Sequence, residues 1–236
     1  MKITLAIPAY NEEKYIGECL EHAAAQRDFL HEILVIDNAS TDKTAEVASR
    51  FPGVRVVREE RKGLTRARAR ALAEATGDII AFNDADTHMP PGWVARVAEA
   101  YEKDPKLACI SGPYIYWDAG PVTSALVWLY WRVLGMPMYL FHGFMAVGGN
   151  FAAKKQALLD IGGFDTDIEF YGEDTNIARR LSKVGRVYFT LSLPMYTSAR
   201  RFHGDGLIAT AWRYMVNFAS EAFFKKSVTD KYTDIR

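Results

Sequence analysis

Cysteine is scarce. Cys19 and Cys109 are the only two in 236 residues, far apart and without CxxC spacing, which excludes a disulfide-stapled fold and points to two buried thiols in a reducing compartment. Net charge is missing as well, since 29 basic and 29 acidic side chains cancel, so no overall field draws the chain to nucleic acid. The first strand-to-helix turn, Pro8-Ala9-Tyr10-Asn11-Glu12-Glu13, contains no glycine. A dinucleotide-binding fold needs glycine there to let backbone approach a pyrophosphate. GxxxxGK[ST] is absent too, which argues against a P-loop enzyme. A phosphate-bearing ligand would have to be neutralised by a metal and basic side chains instead. Met1-Lys2-Ile3-Thr4-Leu5 runs directly into a strand-like segment with no signal-peptide core, so a cytoplasmic protein is expected. There is no internal repeat or low-complexity tract.

What is present is a mixture that is 49% hydrophobic and 25% charged, the balance of an ordinary globular protein. Strand-like and helix-like patterns alternate: strand Lys2–Pro8, helix Glu12–Gln26, strand Glu32–Asp37, helix Thr41–Phe51, strand Val54–Arg58, helix Gly63–Thr76 and strand Asp78–Asn83. Short apolar runs between amphipathic stretches predict an α/β fold, a mostly parallel sheet flanked by helices. Ligands then bind beyond the carboxyl ends of the strands, where Tyr10-Asn11-Glu12, Asp37-Asn38 and Asp84-Ala85-Asp86 cluster. Farther on, a helix is expected over Gly92–Lys103, a strand over Leu107–Trp117, helices over Lys154–Leu159, Glu173–Lys183 and Leu207–Phe224, and a strand over Arg186–Thr190.

Residues 120–147 form an excursion rich in Trp, Tyr, Leu, Met and Phe. Arg132, Gly135 and Pro137 interrupt it, so an interfacial or sheet-covering helix pair is expected rather than a span. Charge is also unevenly divided. Residues 1–178 carry a net −7 and residues 179–236 a net +7, so an anionic partner is expected at the C-terminal quarter. With the apolar run, this suggests peripheral contact with a membrane surface; a cover over the sheet, or a dimer seam, is the competing account.

Asp84 and Asp86 follow the buried run Ile79-Ile80-Ala81-Phe82. Side chains at i and i+2 of an extended chain share a side, and two oxygen donors there suit Mg²⁺ or Mn²⁺ holding phosphate oxygens. The alternative is a turn in which aspartate caps the next segment. Glu173-Asp174 opens a helix, either as a site for proton transfer or as ordinary acidic first-turn residues.

The ordered set Ile7-Pro8-Ala9-Tyr10-Asn11-Glu12-Glu13, Val35-Ile36-Asp37-Asn38-Ala39-Ser40-Thr41-Asp42, Gly63 to Arg70, Asn83-Asp84-Ala85-Asp86, Gly148-Gly149-Asn150-Phe151 and Glu173-Asp174 resembles family 2 glycosyltransferases of the GT-A fold. The likeness covers about residues 1–200. It implies a single catalytic domain over 1–236, with a nucleotide-binding half at 1–90, an acceptor-binding half at 91–205 and a C-terminal helix and tail at 206–236. It also implies transfer of a sugar, with inversion, from a UDP or GDP donor to a saccharide or lipid-linked acceptor. By that resemblance Pro8, Tyr10, Glu12 and Asp37 line the nucleotide pocket, Asp84 lies near ribose and metal, Asp86 binds Mn²⁺ or Mg²⁺, and Asn150 stands near the donor sugar. Asp174, with Glu173 beside it, is implied as the base. Arg66 and Arg70 share a helix face while Arg68 points elsewhere; that face meets the donor or is simply solvated. His203 is a candidate third metal ligand, and Arg200 and Arg201 are candidate diphosphate contacts, or all three are surface residues. A nucleotidyltransferase would also use paired acids and metal, but it would show a Gly- and Arg-rich phosphate loop where Pro8–Glu13 stands. An inactive GT-A-like binding protein is the third alternative.

Overall fold

In the computed structural model, residues 1–168 and 171–200 are described, with Val216 and Ser220 alone beyond them. The elements run β1 (Ile3–Ala9), α1 (Ile16–Ala24), β2 (Glu32–Asp37), α2 (Thr44–Ser49), β3 (Val54–Arg58), α3 (Leu64–Glu74), β4 (Ile79–Asn83), β5 (Thr87–His88) and α4 (Trp93–Lys103). They continue with β6 (Leu107–Ser111), β7 (Tyr114–Tyr116), α5 (Pro121–Tyr130), α6 (Met136–His142), β8 (Asn150–Lys154), α7 (Lys155–Asp160), α8 (Glu173–Leu181), β9 (Arg186–Phe189) and β10 (Met195–Thr197).

Among the described residues, seven strands form the main sheet in the order β3-β2-β1-β4-β8-β6-β9. All are parallel except β8, which runs antiparallel to both β4 and β6. Strands β1 and β4 are buried along their whole length, because helices cover both faces of the sheet. Alternate residues divide between two cores. Leu5, Ile7, Val35 and Ala81 pack with Leu20 of α1 and Trp93 of α4. Ala6, Ile36, Ile80 and Phe82 pack with Leu72 of α3, Leu158 of α7 and Ile177 of α8. Cys19 and Cys109 are free and buried.

One expectation is corrected, one strand is added, and one expected helix lies outside the described residues. The single strand expected over Leu107–Trp117 is two strands, because the chain leaves the main sheet at Gly112-Pro113. A Cβ at Gly112 would overlap the Leu193 backbone. Strand β7 then joins β10 and β5 in a second sheet of order β5-β10-β7. Strand β8 was unforeseen: Asn-Phe-Ala-Ala-Lys lacks the β-branched residues that mark a strand, and it is held by its place between β4 and β6. The expected helix Leu207–Phe224 lies outside the described residues, apart from Val216 and Ser220, which are helical.

Residues 121–142 form one continuous helical segment in which a π turn over Trp131–Gly135 joins α5 to α6. Its inner side rests Trp131, Met136 and Tyr139 on Phe189, Met145 and Val147. Its outer side leaves Val122, Leu126, Leu129, Val133 and Leu140 exposed, with Phe141 at 79%. Steps of 4, 3 and 4 residues put Val122, Leu126, Leu129 and Val133 on one helical stripe, and Leu140 and Phe141 follow beyond the π turn.

Candidate active site

The parallel strands deliver their carboxyl ends to one rim. There the turns after β1 and β2 each contain a non-glycine residue in the left-handed region, Asn11 (φ 53°) and Ala39 (φ 60°). For alanine that conformation costs about 1–2 kcal/mol. The two turns brace each other: the Asn11 amide donates to Ser40 Oγ (3.0 Å), and the Thr41 amide donates to Asn11 Oδ1 (2.8 Å). Strain held by such cross-bracing is typical of functional loops.

Pro8 is buried within β1. Odd-numbered β1 carbonyls face β2, as the Asn38 amide donating to the Ala9 carbonyl demonstrates, so Pro8 faces the β4 side. The β1–β4 ladder has already ended at Ala6–Phe82, and the missing N–H costs nothing there. Tyr10 is half-buried at the rim, with the Lys62 ammonium 3.9 Å above its ring. Asp37 ends β2 and is almost fully buried. Its Oδ2 accepts from Arg58 Nη1 at 2.6 Å and its Oδ1 from the Ser40 amide at 3.2 Å.

At the end of β4 the two aspartates part company. The chain turns at Ala85-Asp86, where the Thr87 hydroxyl donates to the Asp84 carbonyl (2.7 Å), so the extended alternation expected from the sequence stops at Asp84. Asp84, half-buried, accepts from the Tyr114 hydroxyl at 2.7 Å and lies 3.6 Å from Arg68 Nη2. Asp86 is buried against Arg200, whose Nε stands 2.9 Å from Oδ2. The same guanidinium grips Glu12 with two parallel bonds of 2.8 Å and lies over the Tyr15 ring. Burial pushes the Asp86 carboxyl up to about 7, with Arg200 opposing the rise and Asp84 and Glu12 adding to it.

The third corner is built by α3 and α8. Arg68 is only 1% exposed. It donates to the Gly148 carbonyl at 2.7 Å and pairs with Glu173. Burial raises the Glu173 carboxyl above the usual range and Arg68 works against it. Asp174, one residue on, is half-buried at the start of α8. Its Oδ1 accepts from the Thr175 amide at 2.7 Å, and burial again raises its pKa. Gly149 permits this crowding, because a Cβ there would overlap both the Tyr114 hydroxyl and the Asp84 carboxylate.

Several expectations change here. Arg68, not the Arg66/Arg70 pair, enters the site. The buried face of α3 carries Thr65, Arg68 and Leu72, a stripe of period 3–4 that places one arginine inward. Arg70 is exposed and paired with Glu74 at 2.9 Å, and Arg66 is half-buried beside Gly63. Asn150, expected near the donor sugar, is placed as a tie between neighbouring segments. It is fully buried, its Oδ1 accepts from Trp93 Nε1 (3.0 Å), and its Nδ2 donates to the carbonyls of Pro113 (3.1 Å) and Leu193 (2.9 Å). Arg200 reaches the site through carboxylates. Arg201 and His203 lie outside the described residues. Arg58 and Tyr114 were not singled out from the sequence, and only the absence of a side chain at Gly149 hints at the latter.

Among the described residues, no group of three or more His, Cys, Asp and Glu side chains forms a ready metal cage. The donor set nonetheless fits a hard divalent cation. Glu12, Asp84, Asp86, Glu173 and Asp174 gather around two guanidinium groups, Arg68 and Arg200. Among the described residues carboxylates therefore outnumber cations there, and Asp86 already holds a positive group against its oxygen. Mg²⁺ or Mn²⁺ bound by one or two carboxylates completes its shell with phosphate oxygens and water.

Comparison with known proteins identifies the family and the fold. The family model described as Glycosyl transferase family 2 matches residues 4–162. A dolichol-phosphate mannosyltransferase of Pyrococcus furiosus is 29% identical over 212 residues, 82% of this chain and 57% of the relative. A glucosyl-dolichyl phosphate glucuronosyltransferase of Haloferax volcanii is 23% identical over 199 residues, 80% of this chain and 64% of the relative. The chain thus spans about three-fifths of the length of these two relatives. Among solved structures, the mannosyltransferase PcManGT from Pyrobaculum calidifontis in complex with GDP-Man and Mn²⁺ superposes with a TM-score of 0.71 at 24% identity, covering 95% of this chain and 63% of that one. The glucosyl-3-phosphoglycerate synthase of Mycobacterium tuberculosis, in complex with Mn²⁺, UDP-glucose and phosphoglyceric acid, gives 0.65 at 21% identity, covering 94% and 79%. The fold is the GT-A type of these structures.

Proposed function

The chain belongs to glycosyl transferase family 2, and from that premise we propose that it moves a sugar from a nucleoside-diphosphate donor to an acceptor hydroxyl, with inversion and with a divalent cation. The observation that carries the proposal is the convergence of Asp37, Asp84, Asp86 and Glu173-Asp174 on one rim of the sheet. Asp37 and Tyr10 bind the nucleoside, with Arg58 fixing the Asp37 carboxylate through a 2.6 Å bond. Asp84 and Asp86 would hold the cation, which would supply Lewis-acid stabilisation of the departing diphosphate. Asp174 takes the proton of the acceptor hydroxyl. Its raised pKa makes it a stronger base than an exposed aspartate.

A thermal-shift panel of UDP-, GDP- and TDP-sugars with and without Mn²⁺ tests the donor half of this proposal. A donor at about 100 times its Kd should stabilise the fold by about 2.7 kcal/mol. Asp86→Asn is expected to abolish the Mn²⁺-dependent part of the shift while leaving the unliganded protein folded. A variant that kept the full Mn²⁺ response would contradict the assignment of Asp86.

The acceptor is proposed to be lipid-linked, and the outer stripe of α5 and α6 to rest on the cytoplasmic face of a membrane. Support comes from the exposed apolar residues, the net +7 of residues 179–236, two free thiols and the dolichol-linked substrates named for both relatives. No helix among the described residues is long and apolar enough to cross a membrane. The chain is expected to sediment with anionic liposomes at low salt and less at high salt, each basic residue near the surface contributing about 1 kcal/mol. Leu140→Ser/Phe141→Ser should weaken that binding. No sedimentation with anionic vesicles at low salt would exclude the membrane and leave a saccharide acceptor.

A further inference from the structure

The Arg200 clamp has an unusual composition. One guanidinium spends all three of its nitrogens on two carboxylates, Nε on Asp86 (2.9 Å) and Nη1 and Nη2 on Glu12 (2.8 Å each). Both carboxylates are buried, and the arginine is itself only 23% exposed. The Glu12 end is fixed from behind, since the Glu12 amide donates to Thr44 Oγ1 at 2.7 Å, and the Tyr15 ring supports the guanidinium at 4.9 Å. Asp86 is thus occupied by a cation built into the chain. A divalent ion on the same carboxylate would stand beside a like charge in a poorly solvated place, where repulsion is strong.

We infer that Arg200 is the resident counter-ion of Asp86 and that a divalent cation gains Asp86 by exchange with it. This rests on the metal-dependent function proposed above. The exchange needs only the Nε contact to open, because the paired bonds to Glu12 can hold the arginine nearby. Free metal then meets a site already neutralised in part and binds it weakly. Metal arriving with a nucleoside diphosphate brings its own anion, and the freed face of Arg200 has an oxygen to meet. Metal and donor therefore load together rather than in sequence, and the pocket does not accumulate free divalent ions.

Mn²⁺ titration followed by electron paramagnetic resonance, on the full chain without nucleotide, tests the exchange with no reference to turnover. Arg200→Gln is expected to bind Mn²⁺ about tenfold more tightly than the wild type, a coupling of ordinary size for competing ligands. Arg200→Lys, which keeps the charge but cannot bridge two carboxylates with a planar fork, should fall between them, and it serves as the second variant if glutamine compromises folding. Arg58→Ala removes the same charge from Asp37 and should change Mn²⁺ affinity by less than about twofold, as a distant screened charge does. UDP or GDP should narrow the gap between wild type and Arg200→Gln. If the wild type takes up Mn²⁺ with nucleotide yet neither Arg200 variant binds the free ion more tightly, the exchange is wrong and the metal site stands. If no protein binds Mn²⁺ even with nucleotide, both fall.

Discussion

Asp174→Asn is expected to lower kcat by about 10²- to 10⁴-fold, the usual contribution of a general base, while donor affinity stays within about twofold. The reason is positional. Asp174 starts α8 with its Oδ1 held by the Thr175 amide, whereas Asp84 and Asp86 stand at the end of β4, so the variant leaves the donor carboxylates untouched. A base acts when ionised, so the rate should rise with pH through the Asp174 pKa. Burial has moved that pKa up, against the pull of Arg68, and the acid limb of kcat/KM should therefore lie above the ordinary aspartate range. If Asp174→Asn is active and Glu173→Gln is dead, the base is Glu173.

Arg68→Met is expected to destabilise the fold by about 3–5 kcal/mol, the cost of stranding one member of a buried ion pair. Removing the guanidinium leaves Glu173 buried beside Asp174 and Asp84 without a counter-ion, and the Gly148 carbonyl without its donor. That is a large share of the ~5–15 kcal/mol that typically holds a domain together. Urea denaturation should register it as a lower midpoint at an unchanged slope. The sign with pH follows from Glu173, whose folded-state pKa lies above its unfolded value. The folded state then binds the extra proton, so the deficit should be smallest in acid and should grow as pH rises through the folded pKa. Arg68→Met/Glu173→Met should recover most of the loss. A single variant within about 1 kcal/mol of wild type at pH 8 would mean that the pair is not a structural keystone.

The sheet was legible because its strands are short apolar runs between amphipathic helices, and Ile3–Ala9, Glu32–Asp37 and Val54–Arg58 depart from the expected bounds by a residue at most. Helix starts were read too early at α1 and α2. Residues after Glu12 and Thr41 are spent on the cross-braced turns, with the Tyr15 and Ile16 amides both donating to the Glu12 carbonyl. The acids of the rim could be read from motif order, since Asp37, Asp84, Asp86 and the Glu173-Asp174 pair each follow or open an element. Their partners could not. Whether Arg66, Arg68 or Arg70 turns inward depends on the rotation of α3 against the sheet, and charge periodicity favoured the two outer arginines. The family resemblance alone places Asn150 near the donor sugar. Its role as the tie between Trp93, Pro113 and Leu193 arises only when β8 is inserted between β4 and β6, a pairing that an alanine-rich strand does not announce.

Chromatographic analysis of nucleotides after incubating the full chain with a panel of UDP-, GDP- and TDP-sugars, Mg²⁺ or Mn²⁺, and water or a lipid-linked saccharide acceptor tests the central claim most directly. The expected result is release of the nucleoside diphosphate from one donor class, abolished by chelation of the metal and strongly reduced in Asp174→Asn. Appearance of sugar 1-phosphate instead of the nucleoside diphosphate would identify a nucleotidyl transfer, and a panel left intact under all conditions would contradict the assignment of a transferase site.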